Sequence, residues 1–186
     1  MNQVIDVLKA RRTTRKFESE QIKNHELEAI LEAGIYAPSA HNMQPWHFTV
    51  IQDTSLLNQL NIDAKETAKH SKDEMIRKMG ENEKFNIFYN APTIVLVSGN
   101  ESAMMPVVDC AAATQNMLIA AESLDVGACW NGMVSFALNG PKKDAYMEKL
   151  KIPSGYKPYY ALVLGYKAVR AANAPKRAQN TIQYIR

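Results

Sequence analysis

The chain has 186 residues, of which 46% are hydrophobic and 22% are charged. This length and composition fit one globular domain over residues 1–186 and exclude a disordered chain. The formal net charge of +3 comes from 22 basic and 19 acidic residues with no long basic run, so bulk charge gives little support to nucleic-acid binding.

The first third of the chain predicts two helices followed by a strand. Apolar residues 4–8 indicate the buried stripe of a first helix, which ends near Arg11. Asn24 is expected to cap a second helix, because apolar residues then recur at helical spacing over 27–34. The aromatic and β-branched residues 46–51 predict a strand.

The middle of the chain predicts exposed helices, a buried strand and a buried helix. Residues 54–88 carry many charges and indicate one or two mostly exposed helices. Residues 93–98 are short and apolar enough for a central strand. Residues 109–124 are apolar almost all round, which indicates a helix enclosed by other elements, with Gly127 as its C-cap.

The last third predicts short elements and an exposed tail. A brief strand is expected at 128–130, an amphipathic helix from 139 to 150, and a last strand at 159–164. Residues 166–186 contain few large apolar side chains. Such a tail either frays or lies across a partner subunit. The chain shows no repeat, linker or second domain.

Several patterns of known sites are missing. Cys110 and Cys129 form no CxxC pair and the four histidines give no HExxH spacing, so we predict neither a metal nor a disulfide. The glycines form neither GxGxxG nor a P-loop, and there is no GxSxG. The first residues lack a basic leader followed by an apolar stretch, and no apolar run approaches the roughly 18 residues of a membrane span. We therefore expect a soluble cytoplasmic protein.

Two polar segments flank the second predicted helix. The first is Arg-Arg-Thr-Thr-Arg at 11–15, and the second is the loop 37–46. Two prolines fix φ angles in this loop, so Ser39, Asn42 and Gln44 would present polar groups from a stiff backbone. Taken alone, the first segment is a solvated helix end and the second a rigid connector. Together they favour a ligand site, because neither has a structural need for so many unpaired donors.

Landmarks along nearly the whole chain resemble the FMN-dependent nitroreductase family. They are Arg-Arg-Thr-Thr-Arg-Lys-Phe at 11–17, Ala-Pro-Ser-Ala-His-Asn-Met-Gln-Pro-Trp-His-Phe at 37–48, Asn-Ala-Pro at 90–92, and residues 113–124 leading to Gly127 and Trp130. The resemblance implies an α+β fold with a central mixed or antiparallel sheet flanked by helices. It also implies a homodimer with FMN at the subunit interface and a C-terminal tail that reaches across the dimer.

The resemblance further implies an activity and a set of FMN contacts. Members pass electrons from transiently bound NAD(P)H to nitroaromatics, quinones or related electrophiles by ping-pong turnover. The expected contacts are Arg11, Arg12, Thr13 and Arg15 from one subunit, Pro38, Ser39, Ala40, Asn42 and Gln44 from the other, Asn131 and Gly132 near the reactive N5, and Lys176 and Arg177 at the phosphate.

Individual roles follow from the chemistry of FMN. Guanidinium groups pair with phosphate oxygens at two points, which suits Arg11 and Arg12. Arg15 lies far enough along an extended chain to reach the N1/O2 edge of the flavin. Asn58, Asn61 and Lys65 are candidates for the amide and lysine contacts of the family. We name no catalytic side chain, because the flavin performs the hydride chemistry and the final proton can come from water.

Three other functions remain open. The same fold supports other reactions, such as reductive dehalogenation or flavin fragmentation. A non-enzymatic flavin carrier would bind FMN without oxidising NAD(P)H. A basic adaptor for nucleic acid or acidic proteins would use the arginine cluster and bind no flavin.

Overall fold

The computed structural model of the protein describes residues 2–170 and 173–186. The α-helices formed by these residues are α1 (Gln3–Ala10), α2 (Asn24–Ile35), α3 (Thr54–Lys69), α4 (Glu74–Glu81), α5 (Pro106–Ser123), α6 (Val134–Leu138) and α7 (Lys143–Lys149). The strands are β1 (Trp46–Ile51), β2 (Thr93–Asn100), β3 (Val126–Asn131) and β4 (Tyr156–Tyr166). Within the described ranges, no helix is both long and apolar enough to cross a membrane.

The strands form one sheet in the order β1-β2-β4-β3, and every neighbouring pair is antiparallel. The predicted α+β fold is therefore confirmed, with the antiparallel form of the sheet. β2 and β4 lie in the centre, while β1 and β3 form the two edges. Both edges matter for the site, because each carries one of the two polar segments.

Helices cover both faces of the sheet, which explains why β2 is an unbroken apolar run. Ile94 and Leu96 face a core shared with α3, α6 and α7. Val95 and Val97 face a second core, shared with α2 and α5. Successive side chains of a strand point to opposite faces, so a strand buried on both sides needs apolar residues at every position.

α5 is the predicted enclosed helix, and its bounds differ from the prediction at both ends. It begins at Pro106, because proline fits the first helical position, where no intrahelical N–H partner is needed. It ends before Asp125, which turns the chain with a φ of 58°. The predicted C-cap at Gly127 is wrong. Gly127 lies inside β3, where an added Cβ would come within 2.9 Å of Thr14 Cγ2.

α1 contradicts the prediction of a buried stripe. The helix has no buried residue, and its apolar side chains are 59% exposed at Val4, 43% at Ile5 and 41% at Leu8. α1 packs against α5, and within the described residues its apolar side chains remain largely exposed. The amphipathic pattern of α1 therefore does not reflect burial in the core of the described residues.

Smaller differences concern helix ends. The N-cap of α2 is Lys23 rather than Asn24, and the Lys23 N–H donates to Oε2 of Glu26 at 3.0 Å. The charged segment 54–88 forms α3 and α4, as predicted. The helix expected from residue 139 begins at Lys143, and the short α6 before it was not predicted. Five residues are too few to show a helical period.

A polar cluster on α3 fixes α7. The Tyr146 hydroxyl donates to Oδ2 of Asp63 at 2.5 Å, and the Lys142 ammonium lies 3.0 Å from Oδ1. Gln59 also donates to Oδ1, at 3.1 Å. Burial raises the pKa of Asp63, but the hydrogen bonds from Tyr146, Lys142 and Gln59 outweigh burial and hold the pKa below its usual value. The cluster therefore contributes stability through the ionised carboxylate.

Tyr146→Phe is expected to lower the free energy of unfolding by roughly 1.5 to 3 kcal/mol at pH 7, because it removes one hydrogen bond to a charged group. Since the pKa of Asp63 is lowered by folding, this contribution is present above the unfolded pKa and is lost as pH falls through that value towards the folded one. Urea denaturation should therefore show a difference that narrows below about pH 4. The exposed Tyr184→Phe serves as a control. A difference independent of pH would contradict the role of Asp63.

Candidate functional site

The first polar segment lies along the free edge of β3. Thr13 forms an isolated parallel bridge with Ala128, and the Thr14 N–H donates to the Ala128 carbonyl at 2.9 Å. Further on, Phe17 pairs with Lys167 beyond the end of β4. Extended backbone alternates its side chains, so Thr14 is buried while Thr13 is exposed. The edge strand thus holds this segment in an extended form on the protein surface.

The guanidinium groups of this segment are not neutralised by the protein. Among residues 2–170 and 173–186, no carboxylate lies within 4.0 Å of a basic nitrogen of Arg11, Arg12 or Arg15. Arg12 is partly engaged, because its Nη1 donates to the carbonyls of Lys9 and Arg11 at 2.7 Å each. It therefore satisfies the C-terminus of α1. Arg11 and Arg15 are the freer cations of the segment.

Arg15 is held between an aromatic ring and a thiol. Its guanidinium carbon lies 5.9 Å from the centroid of the Tyr89 ring, within the range of a cation–π contact. Burial raises the pKa of Cys129, and the positive charges of Arg15 and Arg11 oppose that shift. The Tyr89 ring therefore gives Arg15 a defined position in the folded chain.

The structure also brings residues to Arg15 that the sequence did not indicate. A cleft of about 430 Å³ beside Arg15 is lined in part by Lys84, Asn86 and Tyr89. No sequence pattern connects residues 84–89 with Arg15, because the two are brought together only by the fold. Lys84 and Asn86 are a lysine and an amide group that line this cleft together with Arg15.

The three candidates that we named on α3 have other neighbours. Oδ1 of Asn61 accepts from the Ile87 N–H at 2.9 Å, and the Lys65 ammonium donates to the Asn82 carbonyl at 2.7 Å. These bonds fix the segment that carries Lys84 and Asn86. Asn58 lines a separate cleft between α3 and the residues before β2.

The second polar segment is a loop with its own internal bonds. Oγ of Ser39 accepts from the Gln44 N–H at 3.0 Å, and the Gln44 amide donates to Oδ1 of Asn42 at 3.0 Å. The φ angles are 50° at His41, 54° at Asn42 and 46° at Gln44, all in the left-handed region. Such angles persist only where surrounding contacts hold them. The Asn42 and Gln44 side chains remain exposed.

A buried carboxyl group on α5 is hydrogen-bonded to the backbone of this loop. Oδ1 of Asp109 accepts from the Ala40 N–H at 3.1 Å. Asp109 lies in the first turn of α5 and is 4% exposed. It was visible in the sequence as a single acidic residue at the start of an apolar helix, but nothing in the sequence indicated its partner.

The two polar segments lie at opposite corners of the sheet. β1 and β3 are separated by three strand spacings, or about 14 Å. At one edge of the sheet, the loop leads into Trp46, which pairs with Gly99 of β2. At the other edge, Ala128 pairs with Leu164 of β4, which in turn pairs with Thr93 of β2. Gly99 and Thr93 are about 20 Å apart along β2, so the diagonal distance between the two polar segments is about 24 Å. One chain alone does not bring these segments around one ring system.

Asn131 and Gly132 have different environments. Asn131 is buried, its amide donates to the Ile87 carbonyl at 2.5 Å, and its Oδ1 accepts from the Val134 N–H at 3.1 Å. Both its amide nitrogen and its amide oxygen are therefore engaged within the chain. Gly132 is exposed, and an added Cβ there would have no atom within 4 Å. Only Gly132 offers free space to a ligand.

Lys176 and Arg177 lie in the exposed tail 173–186. Within the part of the chain that the structure describes, neither has a carboxylate partner within 4.0 Å. Residues 171 and 172 of the predicted tail lie outside the described residues. The reach of the tail across a dimer stays a prediction.

Comparison with known proteins places this geometry in context. The profile of the Nitroreductase family matches residues 8–166. A nitroreductase from Bacteroides fragilis, solved with bound FMN, is 37% identical with a TM-score of 0.91, and 100% of each chain is covered. A nitroreductase from Desulfitobacterium hafniense with bound FMN is 25% identical with a TM-score of 0.92, again over 100% of each chain. A protein of Archaeoglobus fulgidus, provisionally named an NADH dehydrogenase/NAD(P)H nitroreductase, is 31% identical over 89% of this chain and 86% of that protein.

Proposed function

The chain belongs to the nitroreductase family, and we propose that it is an FMN-dependent oxidoreductase that passes electrons from NAD(P)H to nitroaromatic, quinone or related electrophilic molecules by ping-pong turnover. Similar structures contain FMN, and a curated relative carries the name of an NAD(P)H-dependent enzyme. The observation that carries the proposal is the row of arginines along the edge of β3 without carboxylate partners among the described residues.

The residues present fit the demands of FMN. Arg11, with the exposed Thr13 hydroxyl beside it, offers a phosphate a charged fork and a neutral donor. Arg15 would lie at the N1/O2 edge of the flavin, where a cation favours the reduced form. Gly132 leaves space for a close approach of the ring. When bound, FMN supplies the centre that accepts a hydride and passes it on.

We further propose that two chains complete each site as a homodimer. The separation of about 24 Å between the polar segments supports this, because segment 11–15 of one chain and loop 38–44 of another would then flank one FMN. The exposed apolar face of α1 also supports a partner, as do Val107 and Val108 of α5, which are 49% and 55% exposed. The tail would add Lys176 and Arg177 to the phosphate.

Within such a site the protein orients and shields rather than reacts. The internally bonded loop would present Ser39, Asn42 and Gln44 to the flavin without rearrangement. Because the chain contains no GxGxxG segment, we propose that the nicotinamide and the oxidant use the same space in turn. Such sharing leads to ping-pong turnover, because the oxidised nicotinamide must leave before the oxidant enters.

The test is the absorption spectrum of the purified protein before and after NADPH or NADH is added, together with sedimentation. We expect a yellow dimer with one FMN per chain, which bleaches on reduction and recovers on addition of menadione or a nitroaromatic. Bound FMN without NAD(P)H oxidation would indicate the carrier, and loss of the flavin during turnover would indicate fragmentation. A colourless monomer that takes up no FMN would refute the proposal.

A further inference from the structure

We propose that Asp109 is a positioning residue for the cofactor, which holds loop 39–44 in its binding conformation through the Ala40 N–H. The inference rests on the proposed function, since the loop is expected to contact FMN. Asp109 itself touches no cofactor in this proposal and is not a catalytic residue. Its effect passes through one hydrogen bond between the first turn of α5 and the loop.

The burial of Asp109 is the first observation. The residue is 4% exposed, and its Oδ2 is buried without a hydrogen-bond partner among the described residues. Burying a carboxyl group is costly unless it makes compensating bonds, so an apolar side chain would serve the core better. Among the described residues, Oδ1 of Asp109 accepts a hydrogen bond from the Ala40 N–H at 3.1 Å.

The backbone of the loop is the second observation. The left-handed φ angles at His41, Asn42 and Gln44 are unfavourable for residues with side chains. The other bonds at this turn, from Asn42 to Ser39 and from Met43 to Ala40, lie within the loop itself. The contact of Asp109 with Ala40 ties its centre to the rigid α5. Without that tie, a smaller fraction of the protein would have the loop in its binding form.

The expected effect is a loss of FMN affinity without global unfolding. Apparent affinity falls in proportion to the fraction of protein in the competent conformation. Asp109→Ala should therefore weaken FMN binding by about tenfold or more, since it removes the hydrogen bond that ties Ala40 to α5. Asp109→Asn keeps an oxygen that accepts from Ala40, so it should restore most of the lost affinity.

The measurement is a fluorescence titration of the apoprotein with FMN, combined with hydrogen exchange of the peptide that contains residues 39–44. Asp109→Ala should accelerate exchange in this peptide before FMN is added and leave exchange in β2 and β4 unchanged. Asp53→Ala is the matched control, because Asp53 also accepts from a backbone N–H, at 2.9 Å from Leu56, but lies beyond the other end of β1. The Asp53→Ala variant should have a lower free energy of unfolding, because α3 loses its N-cap, but should bind FMN with unchanged affinity.

A second variant breaks the same hydrogen bond from the side of the loop. Ala40→Pro deletes the donor, and Ser39 already has the extended φ of −140° and ψ of 153° that a following proline requires. In a double-mutant cycle with Asp109→Ala, the two changes should be strongly non-additive in the dissociation constant of FMN, because either change alone removes the same hydrogen bond. Additive effects, wild-type affinity in Asp109→Ala, or an Asp109→Asn variant as weak as Asp109→Ala would overturn the inference. If the wild-type protein binds no FMN, the proposed function fails instead, and the exchange experiment still tests the anchor.

Discussion

Arg15→Ala should lower the midpoint potential of bound FMN by roughly 30 to 60 mV while FMN remains bound. Reduction places negative charge at the N1/O2 edge, where Arg15 is proposed to lie, and a hydrogen bond to a charged group contributes about 1.5 to 3 kcal/mol. For a two-electron couple, about 30 mV corresponds to 1.4 kcal/mol. The upper end of this range of potential shifts is reached if Arg15 stabilises only the reduced form of the flavin. Redox titration with a reference dye measures it.

The control for this experiment is Arg12→Ala. Arg12 is expected near the phosphate, and its guanidinium already donates to the carbonyls of Lys9 and Arg11. Its removal should weaken FMN binding or destabilise α1 but leave the potential unchanged, because the phosphate is remote from the ring. Equal potentials in Arg15→Ala and the wild type would remove Arg15 from the N1/O2 edge.

Asn131→Ala should lower the free energy of unfolding by about 2 to 6 kcal/mol, since it leaves two buried backbone groups without partners at about 1 to 3 kcal/mol each. These groups are the Ile87 carbonyl and the Val134 N–H. The first bond connects β3 to the segment beside Arg15, and the second starts α6. Urea denaturation of the apoprotein measures the loss.

The matched control is Asn139→Ala. Its amide also donates to a backbone carbonyl, that of Ser135 at 3.0 Å, but it is exposed. Water can replace that bond, so we expect a change within about 0.5 kcal/mol. If Asn131→Ala keeps its stability and loses only FMN, then Asn131 contacts the flavin directly, as the family resemblance implies, and the structural role is secondary.

Elements with a strong local pattern could be predicted from the sequence. The strands β1 and β2 and the helix α5 were found because burial on one or both faces leaves a period, or an unbroken apolar run, within a single segment. α6 was missed because five residues show no period. Gly127 was assigned to a helix end, although its small size is needed against Thr14, a neighbour far away in the sequence.

The sequence by itself determined that the chain carries two polar segments, one after a helix end and one in a stiff loop. Prolines, arginines and amides can be identified from the sequence without knowledge of their neighbours in space. Only the tertiary structure decided what each residue does there. It bonded Asn131 to Ile87, placed Lys84 beside Arg15, and joined Ala40 to Asp109. The physical reason is that a hydrogen bond or an ion pair depends on distance in space. Its partners stand tens of residues apart in the chain and meet only when the sheet and its helices pack.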